Sequence, residues 1–226
     1  MSEQHSQHLR SYGRIKARTL KPRQSALIEN LLPQIAIPAG PIEMTALFPG
    51  ASGPFVLEIG FGAGEHLAGR AAAAPQGGFI GVEPFLNGVG ACLSKIDEGG
   101  LANVRLHAGD ARDVLAQLPP GALDMVYILF PDPWPKARHH KRRLIQPAFL
   151  AELARVTKPG AEVRFATDWA DYAEWTLAAF LKEPRFAWLA ERADDWRAPW
   201  PGHAATRYEE KRLGDCAPIW LRFARV

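Results

Sequence analysis

The sequence predicts a doubly wound, mostly parallel α/β sheet of seven strands with helices on both faces. Two observations lead there. From residue 55 onward short β-rich runs alternate with helical stretches, and each of the first five runs delivers a glycine turn or a carboxylate at its end. A chain of 226 residues, 47% hydrophobic and 23% charged, holds apolar material for one substantial core and is neither disordered, collagenous nor coiled-coil.

Residues 1–25 are polar and basic without an apolar period and are expected to form a flexible arm; residues 26–226 are expected to form one domain. Between Leu27 and Phe48, prolines at 33, 38 and 41 interrupt short apolar pieces, which predicts irregular structure packed on the body. The regular pattern then begins. Strands are predicted at Phe55–Ile59, Phe79–Val82, Val104–His107, Leu123–Phe130 and Glu162–Ala166, with Gly, Asp or Pro flanking the third and fourth. Helices are predicted between and after them at Glu65–Ala74, Phe85–Asp97, Arg112–Leu118, Leu144–Thr157 and Trp169–Leu181, and the alanine run 71–74 is a good helix former. Strand, helix, strand at this repeat length is the signature of parallel crossover units. Phe186–Glu191 and Ile219–Arg225 lack a helical period and are expected to close the sheet edge as an antiparallel pair.

The two cysteines, Cys92 and Cys216, are far apart and encode neither a disulfide scaffold nor a zinc knuckle. The seven histidines show no metal-ligand spacing, so no metal is expected. The start lacks the pattern of a secretory leader and no later stretch reaches the ~20 apolar residues of a membrane span. A cytoplasmic protein is the expectation.

The net charge of +3 conceals a division. Residues 1–24 carry Arg10, Arg14, Lys16, Arg18, Lys21 and Arg23 against Glu3, a balance of +5. Residues 136–143 carry Lys136, Arg138, Lys141, Arg142 and Arg143 with no acid, again +5, which leaves −7 on the rest of the chain. Two concentrated basic stretches on an acidic body favour a polyanionic partner, because each phosphate they neutralise releases counterions. Neither stretch has the interleaved large apolar residues of a membrane-surface helix.

Ligands of open α/β sheets bind beyond the carboxyl ends of the strands. There the sequence places Glu58 and the turn Gly60-Phe61-Gly62-Ala63-Gly64, then Glu83, Asp110, Asp132 and Asp168. Dinucleotide sites require G-x-G-x-x-G, but position 65 is Glu, and Glu58 and Glu65 would repel a pyrophosphate. The same acids suit a cationic, donor-rich ligand such as S-adenosylmethionine, with Glu83 placed for ribose hydroxyls and Asp110 for an adenine amino group.

The fourth strand runs into Phe130-Pro131-Asp132-Pro133-Trp134-Pro135-Lys136, whose three prolines hold Asp132 and Lys136 with little freedom. A rigid loop capped by Asp132 is the plainer alternative. At these residues the chain resembles the tRNA (guanine-N7)-methyltransferases of the TrmB type, class I S-adenosylmethionine-dependent enzymes. The Phe-Pro-Asp-Pro-Trp segment followed by Lys-Ala-Arg-His-His-Lys-Arg-Arg carries the resemblance, with Ala166-Thr167-Asp168-Trp169, Thr206-Arg207-Tyr208-Glu209 and the basic Gly13–Arg18 segment beside it. The resemblance implies a methyltransferase domain with S-adenosylmethionine as cofactor. Glu58, Glu83, Asp110 and Asp132 would surround the cofactor, with Asp132 catalytic. Lys136, Asp168, Thr206, Arg207, Tyr208 and Glu209 would contact the substrate, guanine 46 of a tRNA, and Arg138, Lys141, Arg142 and Arg143 would hold RNA.

N7 of guanine has an in-plane lone pair and no proton, so its methylation needs alignment and electrostatics rather than a general base. Either Asp132 or Asp168 suits the N1–H and N2–H₂ edge that adenine does not offer. The tryptophans at 134, 169, 196 and 200 are expected mostly to anchor core and loops. The rival readings are an adenine or small-molecule methyltransferase on the same scaffold, and a non-catalytic RNA-binding remnant; the latter would not need intact acids at 58, 83, 110 and 132.

Overall fold

The structure, a computed structural model, describes residues 19–203, 207–211 and 213–226. A seven-stranded sheet organises it: β1 (Phe55–Ile59), β2 (Gly78–Val82), β3 (Val104–His107), β4 (Leu123–Leu129), β5 (Thr157–Thr167), β6 (Phe186–Trp188) and β7 (Ile219–Arg225). The order is β3-β2-β1-β4-β5-β7-β6, with β7 antiparallel to both its neighbours. The order reverses direction between β1 and β4, and the crevice beyond their carboxyl ends is the favoured ligand position of such sheets.

Alternation along the strands divides the core between two faces. Leu57, Ile59, Ile80, Val126, Ile128, Val163 and Phe165 are buried with apolar residues of α6 (Ala111–Gln117), α7 (Pro147–Val156) and α8 (Ala170–Leu181). Val56, Phe79, Tyr127, Leu129 and Ala166 are buried on the other face with α4 (Glu65–Ala73) and α5 (Leu86–Gly99). Each Val, Leu or Ile so enclosed contributes about 1.5–3 kcal/mol. The helix α5 stops at Gly100, whose left-handed backbone (φ 57°) returns its N–H to the carbonyls of Ile96 and Asp97.

The first eighteen residues of the expected arm lie outside the described residues. The end of that segment is helical, since α1 (Pro22–Asn30) starts with proline in its first turn. Its Leu27 and Ile28 pack on the core, Gly90 of α5 lets Gln24 approach closely, and Arg23 bonds Asp97 (2.9 Å) and Glu98 (2.6 Å). The stretch expected to be irregular also contains α2 (Leu32–Ile35) and α3 (Met44–Leu47), and Ala36 bridges to Leu106 beside β3.

Most other predicted elements match within a few residues, and the differences have local causes. β4 ends before Phe130 because that residue's φ of 51° leaves the extended region. α7 starts at Pro147, three residues later than expected, where proline suits the first turn. β5 begins five residues early, at Thr157, and its register against β4 shifts between the Leu123 and Met125 pairings. Among the described residues no helix is long and apolar enough to cross a membrane, and no group of three or more His, Cys, Asp or Glu could hold a metal ion.

Candidate active site

β1 delivers the glycine loop. Gly60, Gly62 and Gly64 have φ values of 76°, 55° and 78°, a region that side chains with a Cβ rarely adopt. Gly64 is doubly constrained, because a Cβ there would lie 2.4 Å from the Cys92 sulfur of α5. Above Gly60 and Gly62 a Cβ would meet nothing within 4 Å, so the loop presents bare backbone to open space. Such a surface admits a ligand at backbone distance.

The acids at the first three strand ends are already held by protein donors. Glu83 accepts the N–H of Gly62 on one oxygen and of Phe85 on the other, each at 2.9 Å. Burial pushes its pKa up and the nearby Asp132 charge adds to that, against the pull of the two backbone donors. Asp110 caps α6, accepting the Arg112 N–H at 2.9 Å, and the Arg112 guanidinium grips the same carboxylate at 2.8 Å. Glu58 is buried, and its Oε2 lies 2.7 Å from Nδ1 of the equally buried His66. His66 had no assigned role in the sequence. The available signal was a histidine on the otherwise apolar inner face of α4, eight residues from Glu58.

The proline-framed loop differs. Phe130 and Trp134 both have left-handed backbone, φ 51° and 45°, flanking Pro131-Asp132-Pro133. Non-glycine residues in that region cost about 1–3 kcal/mol each and cluster at functional sites. Tertiary contacts hold them: Phe130 donates its N–H to Ala166 O (2.8 Å) and stacks on Tyr208 at 5.3 Å, while the Arg142 guanidinium lies 5.0 Å over the Trp134 ring. Asp132 itself reaches solvent, yet the surrounding protein strips enough water from its carboxyl to push its pKa up. Among the described residues no hydrogen bond reaches that carboxylate.

Asp168, after β5, is buried. Its Oδ2 accepts the Gly214 N–H at 2.8 Å, and its backbone carbonyl accepts the N–H groups of Asp215 and Cys216. The chain passes so close that a Cβ on Gly214 would sit 2.0 Å from the Asp168 carbonyl oxygen. Among the described residues the other carboxylate oxygen, Oδ1, is enclosed and lacks a partner of good hydrogen-bond geometry, with the Tyr208 hydroxyl beside the carboxylate. Tyr208, on α10 (Arg207–Lys211), has its pKa raised by burial first and then by the charges of Asp168 and Asp132, so it shares their locality. Glu209, one residue on, is bound through both oxygens to His203 Nε2 at 3.0 Å. Thr206 lies outside the described residues.

The basic stretch forms a 3-10 turn over Ala137–Arg142 directly after the proline loop. Lys136, Arg138 and Lys141 are exposed and Arg142 is half-buried. Arg143 corrects the sequence expectation, because its side chain is only 1% exposed and is closed to a phosphate. Its Nε–H bonds Pro133 O at 2.9 Å, its guanidinium pairs with Asp171, and it lies about 5 Å over the rings of Tyr172 and Trp175. Arg143 is a brace under the proline loop; nothing in the charge run distinguished it from its exposed neighbours. Two further surface depressions, one at Phe55, Pro119 and Lys158 and one at Trp188 and Trp196, lie away from this rim.

Residues 52–220 match the family described as a putative methyltransferase. The tRNA (guanine-N(7)-)-methyltransferase of Caulobacter vibrioides (strain NA1000 / CB15N) is 57% identical over 96% of this chain and 95% of its own length. The protein of the same name from Hyphomonas neptunium is 50% identical over 95% and 99%. Among solved structures, an antibiotic-related methyltransferase superposes with a TM-score of 0.53 at 18% identity, covering 92% of this chain and 97% of that one. A 16S rRNA (adenine(1408)-N(1))-methyltransferase mutant from Catenulisporales acidiphilia, solved with S-adenosylmethionine, gives 0.51 at 20% identity, covering 78% and 87%. At such identities the likeness concerns the fold.

Proposed function

The chain belongs to the tRNA (guanine-N7)-methyltransferase family, and on that footing we propose that it methylates N7 of guanine 46 in the variable region of tRNA, using S-adenosylmethionine, in the cytoplasm. The observation that carries the reading is the open, strain-framed Asp132 carboxylate within electrostatic reach of Glu83 at the crevice where the sheet reverses order.

The residues present fit the cofactor. Bare backbone at Gly60 and Gly62 admits the close approach of a nucleoside, Glu83 lies beside it for ribose hydroxyls, and Asp110 lies at the next strand end for the adenine amino group. Glu58 at the base of the loop suits the ammonium. When bound, the cofactor supplies an electrophilic methyl on a cationic sulfur.

The protein's own task is to present a purine in line with that methyl. N7 needs no deprotonation, so no general base is required, and Asp132 acts by charge: it stabilises the positive charge that grows on the guanine ring. Asp132, which reaches solvent, is the acceptor for the N1–H and N2–H₂ edge, which gives selection against adenine, and the buried Asp168 adds its charge beside Tyr208. Tyr208 on α10 flanks the same place, and Glu209 beside it is held by His203. Lys136, Arg138, Lys141 and Arg142 hold backbone phosphates while the nucleotide is drawn from the tRNA fold. The basic residues at 10–18 add a second grip.

The test is transfer of tritium from labelled S-adenosylmethionine to unmodified tRNA, followed by nucleoside analysis. N7-methylguanosine that disappears when position 46 is changed to adenine is the expected result. Label in an adenine, or none, overturns the reading.

A further inference from the structure

Glu58 is the least satisfied charge at the base of the cofactor crevice. It is 3% exposed, one oxygen has the His66 donor, and no other hydrogen bond among the described residues reaches the carboxylate. A buried carboxylate with a single side-chain N–H partner keeps acceptor capacity to spare and suits a cationic, donor-rich group. It lies close under the glycine loop, since its charge helps raise the pKa of Cys92, the residue packed against Gly64, after burial itself.

His66 has one way to serve this carboxylate. An ionised Glu58 only accepts, so Nδ1 of His66 is the donor, while Nε2 is enclosed and has no hydrogen-bond partner among the described residues. The ring is held by packing: Tyr127, paired with Glu58 across the sheet, meets it edge-on at 4.5 Å, and His203 lies at 6.0 Å. His203 is itself fixed by Glu209 and by Trp220 at 4.5 Å. The imidazole therefore cannot follow the carboxylate if it moves; it sets where the carboxylate stands.

We infer that His66 is a positioning residue for the methyl donor: it clamps one oxygen of Glu58 so that the other is aimed at the donor's ammonium group. The inference rests on the reading of Glu58 as the ammonium acceptor. It adds that the amino-acid end of the donor is recognised through a buried carboxylate–histidine pair, in the way second-layer carboxylates orient histidine ligands elsewhere.

Two probes separate the ends of the donor. S-adenosylhomocysteine carries the amino-acid moiety, and 5′-methylthioadenosine has the adenosine and thioether without it. With the full chain, His66→Leu should weaken S-adenosylhomocysteine about tenfold by calorimetry and leave 5′-methylthioadenosine within twofold. His66→Gln, which returns a donor N–H, should recover much of the loss. Unchanged binding of the thioadenosine also reports that the site remains folded. Equal weakening of both probes, no weakening of either, or a glutamine no better than leucine overturns the positioning role. Glu58→Gln distinguishes the premise: it should weaken S-adenosylhomocysteine at least as much as His66→Leu, and if it does not, the ammonium reading of Glu58 fails and takes the inference with it.

Discussion

The two halves of the carboxyl-end rim differ in how far their acids are already satisfied. On the β1–β3 side, Glu58 has His66, Glu83 has two backbone donors and Asp110 has Arg112. On the β4–β5 side, among the described residues, Asp132 has no hydrogen bond and Asp168 keeps one enclosed oxygen with no well-formed one. The first half is held in place before any ligand arrives, with only the second oxygen of Glu58 left for a donor. The second carries its cost in advance, as desolvated carboxylate and strained backbone, which only a substrate with N–H donors and a developing positive charge relieves.

Removing the charge on the unsatisfied side should have the largest effect. Asp132→Asn is expected to lower single-turnover methyl transfer by about 10²–10³-fold, the usual scale for losing one electrostatic stabiliser, while calorimetric donor affinity and filter-binding tRNA affinity change little. Parallel losses in all three would make Asp132 structural and erase the contrast.

The frame comes next. Arg143→Ala removes the donor to Pro133 O and the packing on Tyr172 and Trp175, and should cost about 2–3 kcal/mol in urea unfolding along with much of the methylation rate. Salt dependence of tRNA binding should stay as it was, because this arginine meets no phosphate.

On the satisfied side, Glu83→Gln should weaken donor binding about tenfold, since one of its two backbone donors loses an acceptor. Its pH signature is separate. Burial raises the folded-state pKa of Glu83 and of Asp132, so each contributes stability that is present below the ordinary carboxylate pKa and lost as pH rises through the raised value. Thermal melts of the donor-free protein across the acid range should show that loss, and Glu83→Gln should reduce it. A donor-free protein whose stability rises through this window would show the two acids to be better compensated than the geometry indicates.

The smallest effects belong to the exposed cations. Arg138→Ala and Lys141→Ala should each weaken tRNA binding a few-fold and lower the salt-dependence slope by about one, with donor affinity unchanged. An unaltered slope would remove them from the RNA interface.

The strand ends Glu58, Glu83, Asp110, Asp132 and Asp168 were legible along the chain because strand period and turn chemistry are local: apolar runs bounded by Gly, Asp and Pro locate the rim without reference to the rest of the molecule. Local chemistry also marked the glycine loop and the stiff loop around Asp132. It did not mark which cations face outward. Arg142 and Arg143 are neighbours of one type, and only the arrival of α8, with Asp171, Tyr172 and Trp175, makes one a brace. Nor did it mark His66 as the partner of Glu58, or Gly214 as the residue that lets a distant segment close over Asp168.

Primary structure alone thus settled the order of elements, the acids at the rim and the family, since all three reside in contiguous motifs. Tertiary packing decided the state of most of these acids. Asp110 is satisfied by Arg112, two residues on, but Glu58, Glu83 and Asp168 depend on donors brought from farther along the chain, as His66 is to Glu58, Gly62 to Glu83 and Gly214 to Asp168, and desolvation is a property of everything that surrounds a group rather than of its neighbours in the chain.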